Sequence, residues 1–276
     1  MELSERLVDL LAASSVEELT GGYQARVFQV IDRGGNRRIA KVLDASLVER
    51  VDVEMRVDVV AALADLDPRV CRPLPIGSFL VADVAIDEDH AGLITCYEYA
   101  DGTAPDLADP TDVARMGQAL AQLHISMKRL PPTLLPPVSA LRTAACGARR
   151  SEQLLHGDFN AGNLRVLNGA VRIFDFDDCG YGPPSFDVAN ALYMVLFDTY
   201  VDSRPEAYPP FKEAFIGGYC EAVGHELGDT DLNEFIDVRV AVLGHWLDDL
   251  SSAPIGIRNA TPAWHALLRS FIDARR

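Results

Sequence analysis

Asn168-Gly169 stands between two short apolar runs in HGDFNAGNLRVLNGAVRIFDFDD, residues 156–178, and this dipeptide constrains the chain more than any other part of it. Both residues tolerate the positive φ of a tight type I′ turn. The stretch therefore predicts antiparallel strands over Leu164 to Leu167 and Ala170 to Phe174. Counting outward from the turn sets Asn163 opposite Phe174 and Gly162 opposite Asp175. The hairpin thus brings an amide and a carboxylate together across 12 positions of sequence. Hard oxygen donors of this kind suit Mg2+, with phosphate oxygens and water completing its octahedron. Asp158 lies on the loop entering the hairpin, five residues before Asn163, and His156 precedes it by two. A surface hairpin with polar ends accounts poorly for this whole ordered set.

A chain of 276 residues can form two small domains or one large one and bury a substantial core. Its hydrophobic content of 49% with 24% charged residues is that of a globular protein. The N-terminal MELSERLVDLLAASSVEEL spaces Leu and Val at helical intervals and carries acids, unlike a signal peptide. No apolar run approaches the roughly 20 residues of a bilayer span, so no membrane partner is expected. Cys71, Cys96, Cys146, Cys179 and Cys220 form no CxxC pair. They read as reduced thiols of a cytoplasmic protein and not as a zinc site.

Charge is unevenly placed. Residues 175–249 hold 16 Asp and Glu against 3 Lys and Arg. Nucleic acid is not an expected partner, since phosphate backbones want a basic stripe. The acidic block is either a set of solvated helix faces or a negative field that favours cationic small molecules.

Along the chain, Glu17 to Val42 reads as strand-rich, with a Gly-bearing turn at TGGYQ, an alternating run ARVFQVI, a turn at DRGGN and a second run RRIAKVL. Asp44 to Leu66 has helical spacing through Val48, Val51, Met55, Val59 and Leu63. Gly77 to Ile86 and Leu93 to Tyr99 read as further strands. Beyond Ala100-Asp101-Gly102 the character turns helical: TDVARMGQALAQLHISMKRL is an amphipathic helix with Thr111 as its cap, and residues 185–275 are almost wholly helix-like. The expected fold is α+β: a small β-rich N-terminal lobe over 1–99, a hinge near 97–102, and a larger helical lobe over 100–276 that carries the hairpin.

The order H-x-D-φ-x-x-x-N, followed by an Asp after two short strands, resembles the catalytic and metal loops of protein kinases. HGDFNAGN with FDFDD in place of DFG is similar to the aminoglycoside phosphotransferase and choline kinase branch of that superfamily, as are ARMGQALAQLH and FDVANAL. The resemblance runs from about Leu19 to about Leu196 and implies a two-lobed protein-kinase-like fold. It implies that Asp158 accepts or orients the proton of an acceptor hydroxyl for in-line attack on the γ-phosphorus. Asn163 and Asp175 would hold Mg2+ against the nucleotide phosphates. His156 and Asp187 would support the loop. Asp177 and Asp178 would touch a second metal or the acceptor, or merely be solvated. Lys41, the one Lys in the first 100 residues, matches the strand lysine that reaches α- and β-phosphates. Its acid partner on the following helix is assigned to Glu54, with Glu49 and Asp58 as alternatives. Gly21 and Gly22 would cover phosphate through their backbone. Tyr97, Glu98 and Tyr99 would offer backbone groups to the base of ATP, or of GTP.

Only 11 residues separate Asp175 from Asp187, which leaves no room for an activation segment. A small-molecule kinase is therefore favoured over an atypical Ser/Thr protein kinase, and both over a non-catalytic nucleotide-binding homologue. The acidic block suggests a hydroxyl acceptor that carries an amine: an aminoglycoside-like amino sugar, an amino alcohol or an amino acid. Trp246, Asp248, Asp249 and Glu221 are candidates to line its site, Trp246 through a cation–π contact. The 31 residues between His124 and His156 are short for an antibiotic kinase, which allows a smaller acceptor. Oligomeric state is left open.

Overall fold

A computed structural model describes residues 2–19, 25–140, 153–253 and 255–275. Two compact units divide the chain: residues 1–100 with 254–256, and residues 101–253 with 257–276.

The first unit opens with α1 (Leu3–Leu10) and six antiparallel strands: β1 (Ala13–Leu19), β2 (Arg26–Asp32), β3 (Arg37–Asp44), β4 (Pro73–Leu74), β5 (Val81–Ala85) and β6 (Ala91–Glu98). They are ordered β1-β2-β3-β6-β4, with β5 also on β6. The helix-like spacing of the N-terminus holds only as far as Leu10. Ala12 then turns into the left-handed region at φ 49, and the Ser- and Val-bearing stretch beyond it pairs as β1. Alternation sorts the strands into two faces. Phe28, Val30, Ala40, Val42, Ile94 and Cys96 pack with Leu3 and Leu7 of α1. Leu93 and Val81 pack with Val53 and Val57 of α2 (Arg50–Leu66). Lys41, opposite Thr95 in the ladder, has the parity of this second face and is only 7% exposed. The helix begins at Arg50 and not at Asp44, because Asp44 ends β3 and its Oδ1 accepts from the Ser46 N–H and hydroxyl, which fixes a turn. Likewise the strand expected from Gly77 begins at Val81. Gly77, at φ 63, sits in the Ile76–Phe79 turn before it.

The second unit is built on α3 (Pro110–Met127), α4 (Pro184–Val201), α5 (Tyr208–Val223), α6 (Asp229–Asp248), α7 (Ile255–Arg258) and α8 (Pro262–Arg275). Asp109 caps α3, taking the Thr111 N–H at 2.8 Å, and Pro110 is its first residue. Thr111, read as the cap in the sequence, is the donor; the Asp-Pro pair immediately before it is the stronger signal because Pro has no N–H to leave unsatisfied. Two small sheets complete the unit. One pairs β7 (Gln153–Leu155) with β10 (Gly180–Gly182). The other is the hairpin of β8 (Leu164–Leu167) and β9 (Ala170–Ile173), closed by Asn168 at φ 51 and Gly169 at φ 80. Its register pairs Leu164 with Ile173, and the Phe174 N–H donates to Asn163 O at 3.1 Å, as the turn chemistry requires.

Helices α3 and α5 touch backbone to backbone at two glycines. A methyl at Gly218 would lie 2.1 Å from Ala114 O, and one at Gly117 would lie 2.1 Å from Phe215 O. Gly217, one position away on α5, faces open space. Gly218→Ala should therefore destabilise by about 1–3 kcal/mol through overpacking. Gly217→Ala should be neutral or stabilise by up to about 1 kcal/mol through helix propensity. Denaturant unfolding of the two variants checks the contrast; equal effects would contradict the close crossing.

Candidate active site

The loop between β7 and the hairpin is held from beneath by Asp187 of α4. This carboxylate is fully buried and accepts the His156 N–H at 2.8 Å on Oδ2 and the Gly157 N–H at 2.9 Å on Oδ1. His124 of α3 reaches the same Oδ2 with Nε2 at 3.1 Å, and its Nδ1 meets the Tyr219 hydroxyl at 2.9 Å. Gly157 is obligatory here. It lies at φ 86, and a Cβ on it would come 2.1 Å from Asp178 O.

His156 ties the loop to the hairpin. Its Nε2–H donates to Phe174 O at 3.0 Å and its Nδ1 accepts the Asp158 N–H at 3.3 Å, which requires the neutral ring with the proton on Nε2. Burial pushes its pKa below the ordinary histidine value, in keeping with that form. Phe159, fully buried, anchors the next position against Phe215 and the His156 ring.

Asp158 is surrounded by amides. Nδ2 groups of Asn160 and Asn163 each donate to Oδ2 at 3.2 Å, and Asn190 Nδ2 donates to Oδ1 at 3.2 Å. Arg239 Nη2 stands 3.7 Å from Oδ1, and a third of the Asp158 side chain stays open. Loss of water around the carboxylate pushes its pKa up to about 7. The charges of Asp178 and Asp175 add to the rise, while Arg239 and the Asn190 bond oppose it. Asn163 also donates to Asp158 O at 2.9 Å, so both its amide hydrogens are used on this loop and its oxygen is left as the acceptor end. Asp175 follows the last rung of the hairpin at φ 68, a left-handed conformation that Asp tolerates better than most side chains. Asp178 Oδ1 accepts the Ser139 hydroxyl at 3.3 Å.

The other expected residues are placed as follows. Glu54 bonds Arg50, one turn earlier on its own helix, at 3.0 Å and is 46% exposed. Tyr97 and Glu98 end β6; Glu98 Oε2 accepts the Arg72 N–H at 3.2 Å. The Arg37 guanidinium lies 4.1 Å from the centre of the Tyr99 ring. Gly21 and Gly22 fall outside the described residues. Asp248 pairs with Arg269 of α8 at 2.9 Å, and Asp249 closes a local turn by accepting the Ser251 N–H and hydroxyl at 3.1 and 2.6 Å. Both are thus surface acids with partners of their own. Glu221 accepts from Gln118 at 3.3 Å. Trp246 is half-buried and lies seven residues beyond Arg239, on the same face of α6.

Five contributors go unrecognised in the sequence: His124, Asn160, Asn190, Tyr219 and Arg239. Asn190 had a signal, since it lies three residues after Asp187 on one helix face. So did Arg239, the single Lys or Arg between Lys212 and Arg258.

With this geometry in view, the similarity to known proteins is informative. The family model of the phosphotransferase enzyme family, APH, matches residues 15–145 and 139–228. The chain belongs to that family. Among curated relatives, methylthioribose kinase of Erwinia tasmaniensis is 28% identical over 124 residues, covering 41% of this chain and 30% of that protein. The enzyme of the same name from Yersinia enterocolitica is 37% identical over 78 residues, 24% of this chain and 20% of that protein. The chain thus spans less than a third of either relative's length. An amicoumacin kinase, solved with AMP-PNP and Ca2+, superposes with a TM-score of 0.76 at 18% identity, covering 94% of this chain and 87% of its own. A microcompartment-associated aminopropanol kinase gives 0.73 at 18% identity, covering 98% and 94%. The fold is that of the protein-kinase-like small-molecule kinases, α+β as the strand-rich first part and helical second part of the sequence predict. Among the described residues no helix is long and apolar enough to cross a membrane.

The raised pKa of Asp158 has a stability consequence. The folded state holds this proton more tightly than the unfolded chain, so stability present at low pH declines as pH climbs from 3.8 through about 7. Asp158→Asn, tested without metal or nucleotide, should raise Tm over the parent by a margin that grows between pH 5 and pH 8. A margin independent of pH would contradict it.

Proposed function

We propose that the protein is a small-molecule kinase that moves the γ-phosphate of ATP to a hydroxyl, with Mg2+ as the metal. The observation that carries this reading is the joint arrangement of Asp158 and Asn163, hydrogen-bonded to each other at the mouth of a hairpin whose last rung delivers Asp175. Oxygen donors of amide and carboxylate type fit a hard cation. Mg2+ takes one or two protein ligands and fills its shell with phosphate and water, so one amide and one carboxylate oxygen would suffice to hold it. Bound there, the metal would neutralise charge on the β- and γ-phosphates.

The chain's own residues supply the rest. Asp158 accepts a hydrogen bond from the acceptor hydroxyl and takes its proton as the oxygen bonds to the γ-phosphorus. The bond from phosphorus to the β–γ bridging oxygen breaks, and ADP leaves with that electron pair. Asn160, Asn163 and Asn190 orient the Asp158 carboxylate and stabilise its ionised form. His156 and Asp187 position the loop backbone. Lys41, a buried cation on β3, would bind α- and β-phosphate oxygens. Tyr97, Glu98 and Tyr99 would serve the adenine, and Gly21 and Gly22 the phosphates.

The acceptor is read as amine-bearing, on the strength of the acidic stretch 175–249. Asp177, Asp178, Trp246, Asp248 and Asp249 are the residues to test for contact with it. The aminopropanol kinase of the same fold acts on an amine, in line with this class. Of the 11 residues between Asp175 and Asp187, six belong to β10 and the start of α4, which leaves little room for a segment that docks a protein acceptor.

Phosphoryl transfer from ATP and Mg2+ should be measured over amino sugars, amino alcohols, hydroxy amino acids, neutral sugars and a generic protein. Turnover on an amine-bearing compound should fall by about 10²- to 10⁴-fold in Asp158→Asn, with nucleotide binding kept. Transfer to protein alone, or nucleotide binding with no transfer to any acceptor, would overturn the proposal.

A further inference from the structure

Arg239 is a cation in the site whose ion pair with Asp158, at 3.7 Å, is too long to be a hydrogen bond. It sits in the middle of α6, and its side chain is only 14% exposed. Its guanidinium lies over the Tyr193 ring at 5.6 Å, so one plane is covered. Its nearest acid is Asp158 Oδ1 at 3.7 Å, beyond hydrogen-bond reach, and no described residue makes a hydrogen bond to it. A guanidinium carries five donors in a planar fork shaped for carboxylate or phosphate. Largely buried arginines are normally satisfied by such a fork. Here the fork is left beside the group that receives the acceptor's hydroxyl.

We infer that Arg239 binds an acidic group on the acceptor, so that the molecule phosphorylated is a hydroxy acid with its carboxylate a short carbon spacer from the reacting hydroxyl. The placement relative to the hydroxyl rests on the kinase reading given above; the carboxylate site does not. Carboxylate on Arg239 and ammonium in the acidic surroundings together describe a hydroxy amino acid, and the arrangement disfavours a purely cationic amino alcohol. The charge of the incoming carboxylate is offset by Arg239 itself, which spares Asp158 a bare like-charge neighbour. Tyr193 holds the guanidinium plane in place and so limits the direction of approach.

Two matched pairs differing only in the carboxylate isolate the effect: L-serine against ethanolamine, and glycerate against glycerol. The full-length protein, labelled with 15N-arginine and free of nucleotide, is titrated with each. The Arg239 Nε–H signal, assigned by its loss in Arg239→Met, should move with L-serine or glycerate and stay still with ethanolamine and glycerol. In Arg239→Met the Kd for the carboxylate member should rise by about 10- to 100-fold, the effect of losing a charge-assisted bond. Arg239→Lys keeps the charge but not the fork, guards against a folding defect, and should recover only part of the loss. No movement with either acid would overturn the inference. So would transfer rates that fall equally for both members of a pair, which would put the guanidinium on the migrating phosphoryl group. Carboxylate binding without any transfer would leave the Arg239 site standing and sink the kinase reading.

Discussion

The Asp187 carboxyl has no exposed surface, and everything at the candidate site is arranged around satisfying its oxygens. A carboxylate in that position would cost several kcal/mol if left bare. Two consecutive backbone N–H groups and one imidazole take up its oxygens at 2.8 to 3.1 Å. Once those bonds are made, the backbone at His156 and Gly157 is fixed. Gly157 must accept a positive φ, and the Asp178 carbonyl can approach it closely because there is no side chain in between. The His156 ring then has one acceptor and one donor direction, and it spends them on the Asp158 N–H and Phe174 O. Loop and hairpin are locked together through a neutral histidine, with Tyr219 and His124 extending the network to two further helices.

Asp158, two residues along, has the opposite environment. Its partners are side-chain amides at 3.2 Å, longer than the bonds to Asp187, and its nearest cation stands 3.7 Å away. Asp187 spends both its oxygens on three bonds of 2.8 to 3.1 Å and is unavailable. Asp158 is partly open and has its pKa lifted to about 7, so it can exchange a proton near neutrality. Two carboxylates on adjoining elements, pushed toward different chemistry by their surroundings, are what divides positioning from acid–base work. The same contrast makes Arg239 informative, since a fully paired Asp158 would have drawn the guanidinium in.

Much of this is legible in the sequence because it rests on local rules. Asn-Gly dictates the turn, the turn dictates the register, and the register dictates which residues stand beside Asn163. The strand carrying Lys41 follows from alternation, and the face Lys41 occupies follows from its parity. What is not legible depends on contacts between distant segments. His124 and Asp187 are 63 positions apart, and nothing local marks a histidine on an apolar helix face as a carboxylate's partner. Glu54 is assigned to Lys41 by position on the helix, and the sequence does not mark that Arg50, one turn before it, also meets it. Asp248 and Asp249 drew attention as a charged pair, yet α8 and a local turn absorb them. Helix ends failed for a simpler reason: Asp44 and Asp109 act through side-chain bonds that shift a boundary by one to several residues.

Amide hydrogen exchange in Asp187→Ala, compared with the parent protein, tests the central dependence most directly. The account predicts that the His156 and Gly157 amides lose their protection while the Phe174 amide, bonded to Asn163 O within the hairpin, keeps it. Undiminished protection at His156 and Gly157 in a folded Asp187→Ala protein would show that the loop is held by something other than this carboxylate, and the account would fail.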